Sequence, residues 1–211
     1  MTQLIAYPNG VDESISSYAS VDSSYPFSNV FGKGHTNTTF TRWYMVTGSS
    51  SRTPVFFTFD LSAIPSDATI DNVSVTAKGR MQNSSVIYAG NNVIALCENN
   101  TSVVTSEDTT LFGTSVSTAT ISTTGFTRAM LDNLRFKFQG SRGFFGTSNS
   151  YYMEFYGCTL TVEYTEISGD KFLLKTSGVW TECTEIYKKV NGVWELQTDL
   201  GSVLDVNMNY K

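Results

Sequence analysis

The single histidine of the chain, His35, limits what nucleophilic catalysis is available. A serine or cysteine nucleophile needs a base to take its proton, and in most triads that base is a histidine. His35 lies in GKGHTN, a stretch of turn-forming residues, and the sequence indicates no nucleophile or orienting acid for it. We therefore predict that His35 is a turn or surface residue rather than a catalytic base.

Carboxylates are the second group that could do chemistry, because two of them suffice to hydrolyse a glycosidic bond. Glu154 and Glu163 alternate with apolar residues in strand-like runs, so we expect both to face solvent. No spacing singles out a pair, and the chain has no glycine-rich phosphate-binding motif. We predict that the protein is not an enzyme; a depolymerase with an unrecognised carboxylate pair is kept as a rival hypothesis. The candidate carboxylates are Asp12, Glu13, Asp22, Asp60, Asp67, Asp71, Glu98, Glu154 and Glu163.

The three cysteines, Cys97, Cys158 and Cys183, are too far apart for the CxxC pairs of a zinc site. We expect three reduced and mostly buried thiols, and the alternative is one disulfide with one free thiol. A single histidine also makes a transition-metal site a poor expectation. We predict neither a metal nor any other cofactor.

The charge of the chain argues against a nucleic-acid partner. Its formal net charge is -5 and its pI about 4.8, whereas phosphate contacts need clustered Lys and Arg. No run approaches the ~20 apolar residues of a membrane span, so we expect no membrane insertion. The N-terminal sequence MTQLIAYPNGVDES lacks the basic and apolar regions of a signal peptide. We therefore expect synthesis in a cytoplasm without export by the general route.

Aromatic residues beside small polar residues favour a binding function. They cluster in SSYPFSNVFGKG, TRWYM and SRGFFGTSNSYY, which we expect to contain loops. Aromatic faces near guanidinium and amide groups stack on sugar rings and form rigid protein interfaces. The alternative is that these rings fill the core or pack turns. The predicted contacts to a glycan or a partner are Trp43, Tyr44, Arg142, Phe144 and Phe145.

The elements that would position these residues are strands, since apolar and polar residues alternate with a period of two in several runs. One wet face and one apolar face is typical of antiparallel sheets. The sets predicted to face inward are Val55, Phe57 and Phe59; Val73, Val75 and Ala77; and Leu134, Phe136 and Phe138.

The run YYMEFYGCTLTVEY changes phase along its length. Its apolar residues are odd-numbered as far as Phe155 and even-numbered from Leu160. One extra residue would cause that change, so we predict a β-bulge at Gly157-Cys158. The alternative is a corner between two strands.

Many short strands separated by turns predict an all-β, jelly-roll-like antiparallel β-sandwich over residues 1–165. One short connecting helix is expected at TRAMLDN, with Thr127 as its N-cap. Residues 166–170 are predicted to be a linker. Residues 171–211 would form a small C-terminal module of tandem β-hairpins.

The hairpin prediction rests on a repeat, in which Gly178-Val179-Trp180 returns as Gly192-Val193-Trp194. Each copy follows a turn signal, and Asn-Gly is the strongest of these. So small a module needs a partner surface. An alternating segment at the end of the chain either pairs within the chain or adds to a partner's sheet edge. The residues assigned to the module and its assembly are Trp180, Asn191, Gly192, Trp194, Leu204, Val206, Met208 and Tyr210.

Several of these segments resemble a known family. SSYPFSNVFGKG, FFTFDLSAIPSDATIDNVSVTAKGR and RFKFQGSRGFFGTSNSYYMEFYGCTLTVEYT are similar to a β-sandwich domain of structural proteins from phages that infect Firmicutes. YKKVNGVWELQTDL is similar to the KKVNG-W repeats that close many of those proteins. The first copy departs from that pattern, with Ser177-Gly178 where Asn-Gly is usual.

The resemblance implies a non-enzymatic virion structural protein, either a capsid decoration or head fibre or a tail or baseplate component. Its partners would be other virion proteins and further copies of itself, with a trimer favoured because virion appendages are usually symmetric. The alternative function is a carbohydrate-binding adhesin that contacts glycans of the host surface. The expected location is the virion, which needs no export signal because it leaves the cell by lysis.

Overall fold

The structure is a computed structural model that describes most of the chain, with gaps. The described residues are 1–45, 52–81, 93–106, 111, 113–141, 152–166, 173–176, 179–182, 187–190 and 193–196. The chain divides into two compact units, Met1–Glu166 and Ile167–Lys211. The division falls within the predicted linker, 166–170. Within the described ranges, no helix has the length and apolar character to cross a membrane.

The first unit is a sandwich of two antiparallel sheets. The front sheet consists of Thr2–Ala6 (β1), Ser20–Val21 (β3), Thr41–Tyr44 (β4), Thr69–Met81 (β6), Ser117–Thr123 (β9) and Tyr152–Thr165 (β11). The back sheet consists of Pro8–Val11 (β2), Arg52–Phe59 (β5), Val93–Glu98 (β7), Thr101–Ser106 (β8) and Leu134–Ser141 (β10). In the described part of this unit, Phe27–Val30 forms a 3₁₀ turn and Arg128–Leu131 forms the helix α1.

The strand order identifies the sandwich as a jelly roll. The front sheet runs β3-β4-β11-β6-β9, with β1 also paired to β11, and the back sheet runs β2-β5-β10-β7-β8. The eight strands from β4 to β11 therefore contribute four strands to each sheet. Strands that follow one another in sequence mostly lie in opposite sheets. This order confirms the all-β sandwich, and it places residues that are distant in sequence side by side.

The core lies between the two sheets and follows the predicted alternation. All three predicted inward sets face it, with Phe59 at its margin and only partly buried. The rings of Phe57 and Phe155 stack across the sandwich with centroids 4.3 Å apart. Each such ring contributes roughly 1.5–3 kcal/mol when it leaves water.

The predicted bulge is confirmed in β11, displaced by one residue. Phe155 lies opposite Gly79 and Gly157 lies opposite Lys78, so Tyr156 is the extra residue. Gly157 has φ +121°, and a Cβ there would lie 2.6 Å from the Lys33 carbonyl oxygen. Glycine is therefore required by both backbone conformation and space. The bulge keeps the apolar residues on both sides of it in the core.

The predicted helix is also present, although its cap is not as expected. Thr127 occupies the N-cap position of α1, but its side chain makes no capping hydrogen bond. Leu131 is buried and anchors the helix to the core. Packing of Leu131, together with hydrogen bonds from the Arg128 guanidinium to the Pro65 and Ile64 carbonyls, holds this single turn in place without a side-chain cap.

The second unit contains the two predicted hairpins. Leu173–Thr176 (β12) pairs with Val179–Glu182 (β13), and Tyr187–Val190 (β14) pairs with Val193–Leu196 (β15). The two registers are identical when shifted by 14 residues (187 minus 173), so Lys175 lies opposite Trp180 as Lys189 lies opposite Trp194. The turn residues Asn191 and Gly192 lie outside the described residues, as do Leu204, Val206, Met208 and Tyr210.

Candidate functional site

A row of alternating charges crosses the outer face of the front sheet. Glu154 on β11 is in register with Arg42 on β4 to one side and with Arg80 on β6 to the other. Asp22 extends the row, since its N–H donates to the Arg42 carbonyl at 3.0 Å. Outward positions of neighbouring strands face one another in a sheet, so one register brings together residues from four parts of the chain.

Glu154 is the centre of this row, and the prediction that it faces solvent is wrong. Its side chain is 0% exposed. Oε1 accepts from Arg42 Nη2 at 2.6 Å and Oε2 accepts from Arg80 Nε at 2.5 Å and from the Tyr156 hydroxyl at 3.3 Å. Burial raises the pKa of Glu154, but the hydrogen bonds from Arg80 and Arg42 outweigh it and hold the pKa below its usual value. Glu154 is therefore ionised and fully paired.

Arg42 is enclosed by aromatic rings as well as by carboxylates. Its guanidinium carbon lies 4.5 Å from the Tyr25 ring centroid, 4.2 Å from that of Tyr152 and 5.4 Å from that of Phe40. The Tyr25 and Phe40 rings stack with centroids 4.5 Å apart. The negative faces of these rings attract the positive guanidinium, so the cation–π contacts stabilise Arg42 in this position.

Tyr44 continues the aromatic surface at the end of β4. Its ring stands edge-on to Tyr152 at 6.3 Å, and its hydroxyl donates to Asp22 Oδ2 at 3.3 Å. Burial and the Asp22 charge raise the pKa of Tyr44, so this hydroxyl stays protonated. The predicted contact residue Tyr44 is partly exposed. We call this assembly the front-face cluster; it comprises Asp22, Tyr25, Arg42, Tyr44, Arg80, Tyr152 and Glu154.

A third cation lies beside the cluster, on β6. Lys78 Nζ donates to the Asn37 carbonyl at 2.9 Å and lies 5.2 Å from the Tyr156 ring centroid. This contact attaches residues 33–39 to the outer face of the front sheet. The same segment is attached by His35, whose Nδ1 lies 2.8 Å from Thr159 Oγ1.

Trp43 does not belong to the surface, so its assignment as a glycan contact is corrected. It is 0% exposed and points into the core, where its ring lies 5.7 Å from Phe27 and 5.7 Å from Phe138. Its Nε1 has no hydrogen-bond acceptor, and Phe138 stands nearly perpendicular to the indole at 82°. The alternation in TRWY turns Arg42 and Tyr44 outward and therefore turns Trp43 inward. Arg142, Phe144 and Phe145 lie outside the described residues.

The front-face cluster was only partly visible in the sequence. Tyr25, Arg42 and Tyr152 lie in the aromatic segments singled out there. Asp22 and Glu154 were named only among many candidate carboxylates for hydrolysis, and Arg80 was missed. The signal that could have found them is a charged residue at an outward position of an otherwise apolar strand, as in KGRM and YMEF. It identifies single residues, but strand order is needed to join them.

The cluster offers recognition chemistry: partly exposed aromatic rings, the largely buried Asp22 carboxylate and paired guanidinium groups. Among the described residues, no group of three or more His, Cys, Asp or Glu side chains is arranged to hold a metal ion. No protein-family model matches the chain, and no curated protein matches it either.

Proposed function

We propose that the protein is a non-enzymatic structural component of a bacteriophage particle, exposed on the capsid or the tail. The observation that carries the proposal is the two-part organisation, a jelly-roll sandwich followed by two hairpins in equivalent register. These are the two parts of the chain on which the resemblance to phage structural proteins depends. Jelly rolls recur in viral capsid and lectin domains, although a fold alone does not determine a function.

The hairpins support the proposal through their size. Among the described residues of this unit, each hairpin forms a sheet of two strands, and an isolated two-stranded hairpin is marginally stable in water. A surface that completes them would stabilise both, and the particle or further copies of the chain would supply it. We accordingly expect a homo-oligomer, with a trimer favoured.

Particle association tests the proposal directly. The chain should be present in particles purified from the lysate in which it is made, and the purified full chain should co-sediment with particles that lack it. A chain ending at Glu166 should keep the sandwich and lose co-sedimentation. Absence of the chain from purified particles would overturn the proposal. Copy number then separates a capsid position, with hundreds of copies, from a tail position, with a handful.

A second function, carbohydrate binding by an adhesin, is favoured by the front-face cluster. Partly exposed tyrosines beside a carboxylate and guanidinium groups are a common surface for sugars. An oligosaccharide array with the full chain tests this function independently of the particle. If the chain binds no glycan on the array, the adhesin function is rejected and only the structural role remains.

A further inference from the structure

The cations of the front-face cluster are already paired, which bears on the charge of a ligand. The Arg42 guanidinium pairs with Glu154 at 2.6 Å and with Asp22 at 3.5 Å. Its carbon also lies 4.5 Å from the Tyr25 ring centroid and 4.2 Å from the Tyr152 ring centroid. Arg80 bonds to Glu154 at 2.5 Å and to the Thr114 carbonyl at 3.4 Å. The two carboxylates and two guanidiniums cancel in charge. An anionic ligand needs a cation that can turn toward it, and these are held by neighbours.

The groups that remain are suited to an uncharged polar ligand. Tyr44 and Tyr152 are partly exposed where β4 and β11 pair, and their rings meet edge to face at 6.3 Å. The Asp22 side chain keeps 16% of its surface exposed and lies under the Tyr44 hydroxyl at a long 3.3 Å. A ring face takes the C–H face of a sugar, and a largely buried carboxylate accepts hydrogen bonds from hydroxyls.

We propose that the front-face cluster binds an uncharged sugar residue of a glycan, with a pyranose ring against Tyr152 and Tyr44 and its hydroxyls on Asp22. The inference deepens the second function above and rests on it; it does not depend on the chain being part of a particle. Arg42 acts as a positioning residue that holds the Tyr152 ring and Asp22, and Arg80 helps to fix Glu154, to which Arg42 is paired.

The test uses the full chain and isothermal titration with two kinds of probe. The neutral probes are oligosaccharides of glucose, galactose, rhamnose and N-acetylglucosamine, and the anionic probe is poly(glycerol phosphate). We expect a neutral probe to bind with an affinity that changes less than about twofold between about 50 and 500 mM NaCl, since screening acts on charge. The anionic probe should not bind more tightly than the neutral ones.

Variants locate the binding. Tyr152→Ala and Asp22→Asn should each weaken binding by about tenfold or more, as at the centre of an interface. Tyr152→Phe keeps the ring and should bind within about threefold of the parent chain. Tyr7→Ala is the matched control, because Tyr7 is 43% exposed and lies outside the cluster.

The outcomes separate this inference from the particle proposal. Thermal unfolding shows which variants are folded, and Asp22→Asn keeps the test valid where Tyr152→Ala does not fold. The inference is overturned when the parent chain binds no neutral probe, when only the anionic probe binds, or when Tyr7→Ala weakens binding as much as the cluster variants. If the chain co-sediments with particles but binds no sugar, this inference is overturned and the particle proposal stands.

Discussion

The two sheets of the sandwich treat their outer faces differently. On the front sheet, the outward residues include a row of paired charges. Glu154, at the centre of that row, has a side chain that is 0% exposed. On the back sheet, outward residues include Phe56, Ala95 and Cys97, an apolar patch that is equally buried. Both faces start from the same alternation of inward and outward residues. Burial on the outer side comes from mutual pairing in one case and from a covering segment in the other.

The covering segment of the back sheet consists of residues 12–17. Ile15 packs on the apolar patch, and the Ser17 N–H donates to the Pro54 carbonyl at 2.8 Å. Asp12 closes the segment at one end, since its Oδ2 accepts from Arg135 Nε at 3.0 Å. The hydrogen bond from Ser14, aided by Arg135, lowers the pKa of Asp12.

The two outer faces differ in how much of their surface is open to a partner. The chain itself covers the apolar patch of the back sheet, whereas the rings of the front sheet are covered only in part. The front face depends on charges that are expensive to leave unpaired, and the back face depends on apolar area. Breaking each face should therefore have a different size and a different dependence on pH and salt.

The largest effect is expected from Glu154→Gln. It leaves Arg80 without a carboxylate and Arg42 with only its longer 3.5 Å pair to Asp22, in a partly buried row, which should lower the free energy of unfolding by about 3 kcal/mol. Urea unfolding at neutral pH measures it. Glu163→Gln is the matched control on the same strand, partly exposed and bonded to Asn72 at 3.3 Å, with an expected change within about 0.5 kcal/mol. Equal effects of the two variants would contradict a central role for Glu154.

Acidification of the parent chain should reproduce part of the loss of stability that Glu154→Gln causes. The folded pKa of Glu154 lies below its unfolded value, so its stabilisation is complete above the unfolded pKa, about 4.3, and is lost as pH falls through the folded pKa. The stability difference between the parent chain and Glu154→Gln should therefore be constant above about pH 5.5 and shrink below about pH 4. Urea unfolding across that range measures it, and a difference that grows on acidification would contradict the sign.

A smaller effect is expected from Ile15→Ala on the back sheet. Removal of a partly buried side chain should lower the free energy of unfolding by about 1–2 kcal/mol, independently of pH. It should also raise the rate at which a maleimide labels Cys97, a buried free thiol. The labelling is done in a Cys183→Ser background with buried Cys158 as the internal reference. Ile5→Ala, at a 51% exposed position, is the control that should change neither quantity.

The smallest effect is expected from Asp12→Asn. The Asp12–Arg135 pair keeps 19% and 18% of its side-chain surfaces exposed, so its loss should lower stability by no more than about 1 kcal/mol. The difference should decrease further in about 0.5 M NaCl because salt screens a partly exposed pair. Chemical denaturation at low and high salt measures it. A loss that matches Glu154→Gln would mean that both faces depend on charge to the same extent.

Sequence reasoning was successful where one strand contains the whole signal. The alternation around Phe57, Val75 and Phe136 predicted the inward faces, and the phase change after Phe155 predicted the bulge. The tandem hairpins followed from a repeat and two turn signals. In each case the period of side chains along a strand is set by local backbone geometry.

Prediction from the sequence failed where the burial of a residue depends on a neighbouring strand or segment. Glu154 was predicted to face solvent, and it does point to the outer face, but two arginines and a tyrosine cover it there. Phe56 alternates outward as well and is covered by Ile15. Trp43 is a failure of another kind: it was predicted to contact a glycan or a partner on the strength of its residue type, although its position in the alternation of its own strand turns it into the core.

The class of fold and the side of each strand follow from the sequence, because alternation, bulges and hairpin turns are properties of a short stretch of chain. Which outward residues meet depends on the order of the strands in the folded sheets. Strand order β4-β11-β6 is set by how two whole sheets close over one core, and it alone brings Asp22, Arg42, Arg80 and Glu154 into one row. A charge on a strand is an ordinary solvated residue until that order supplies its partners.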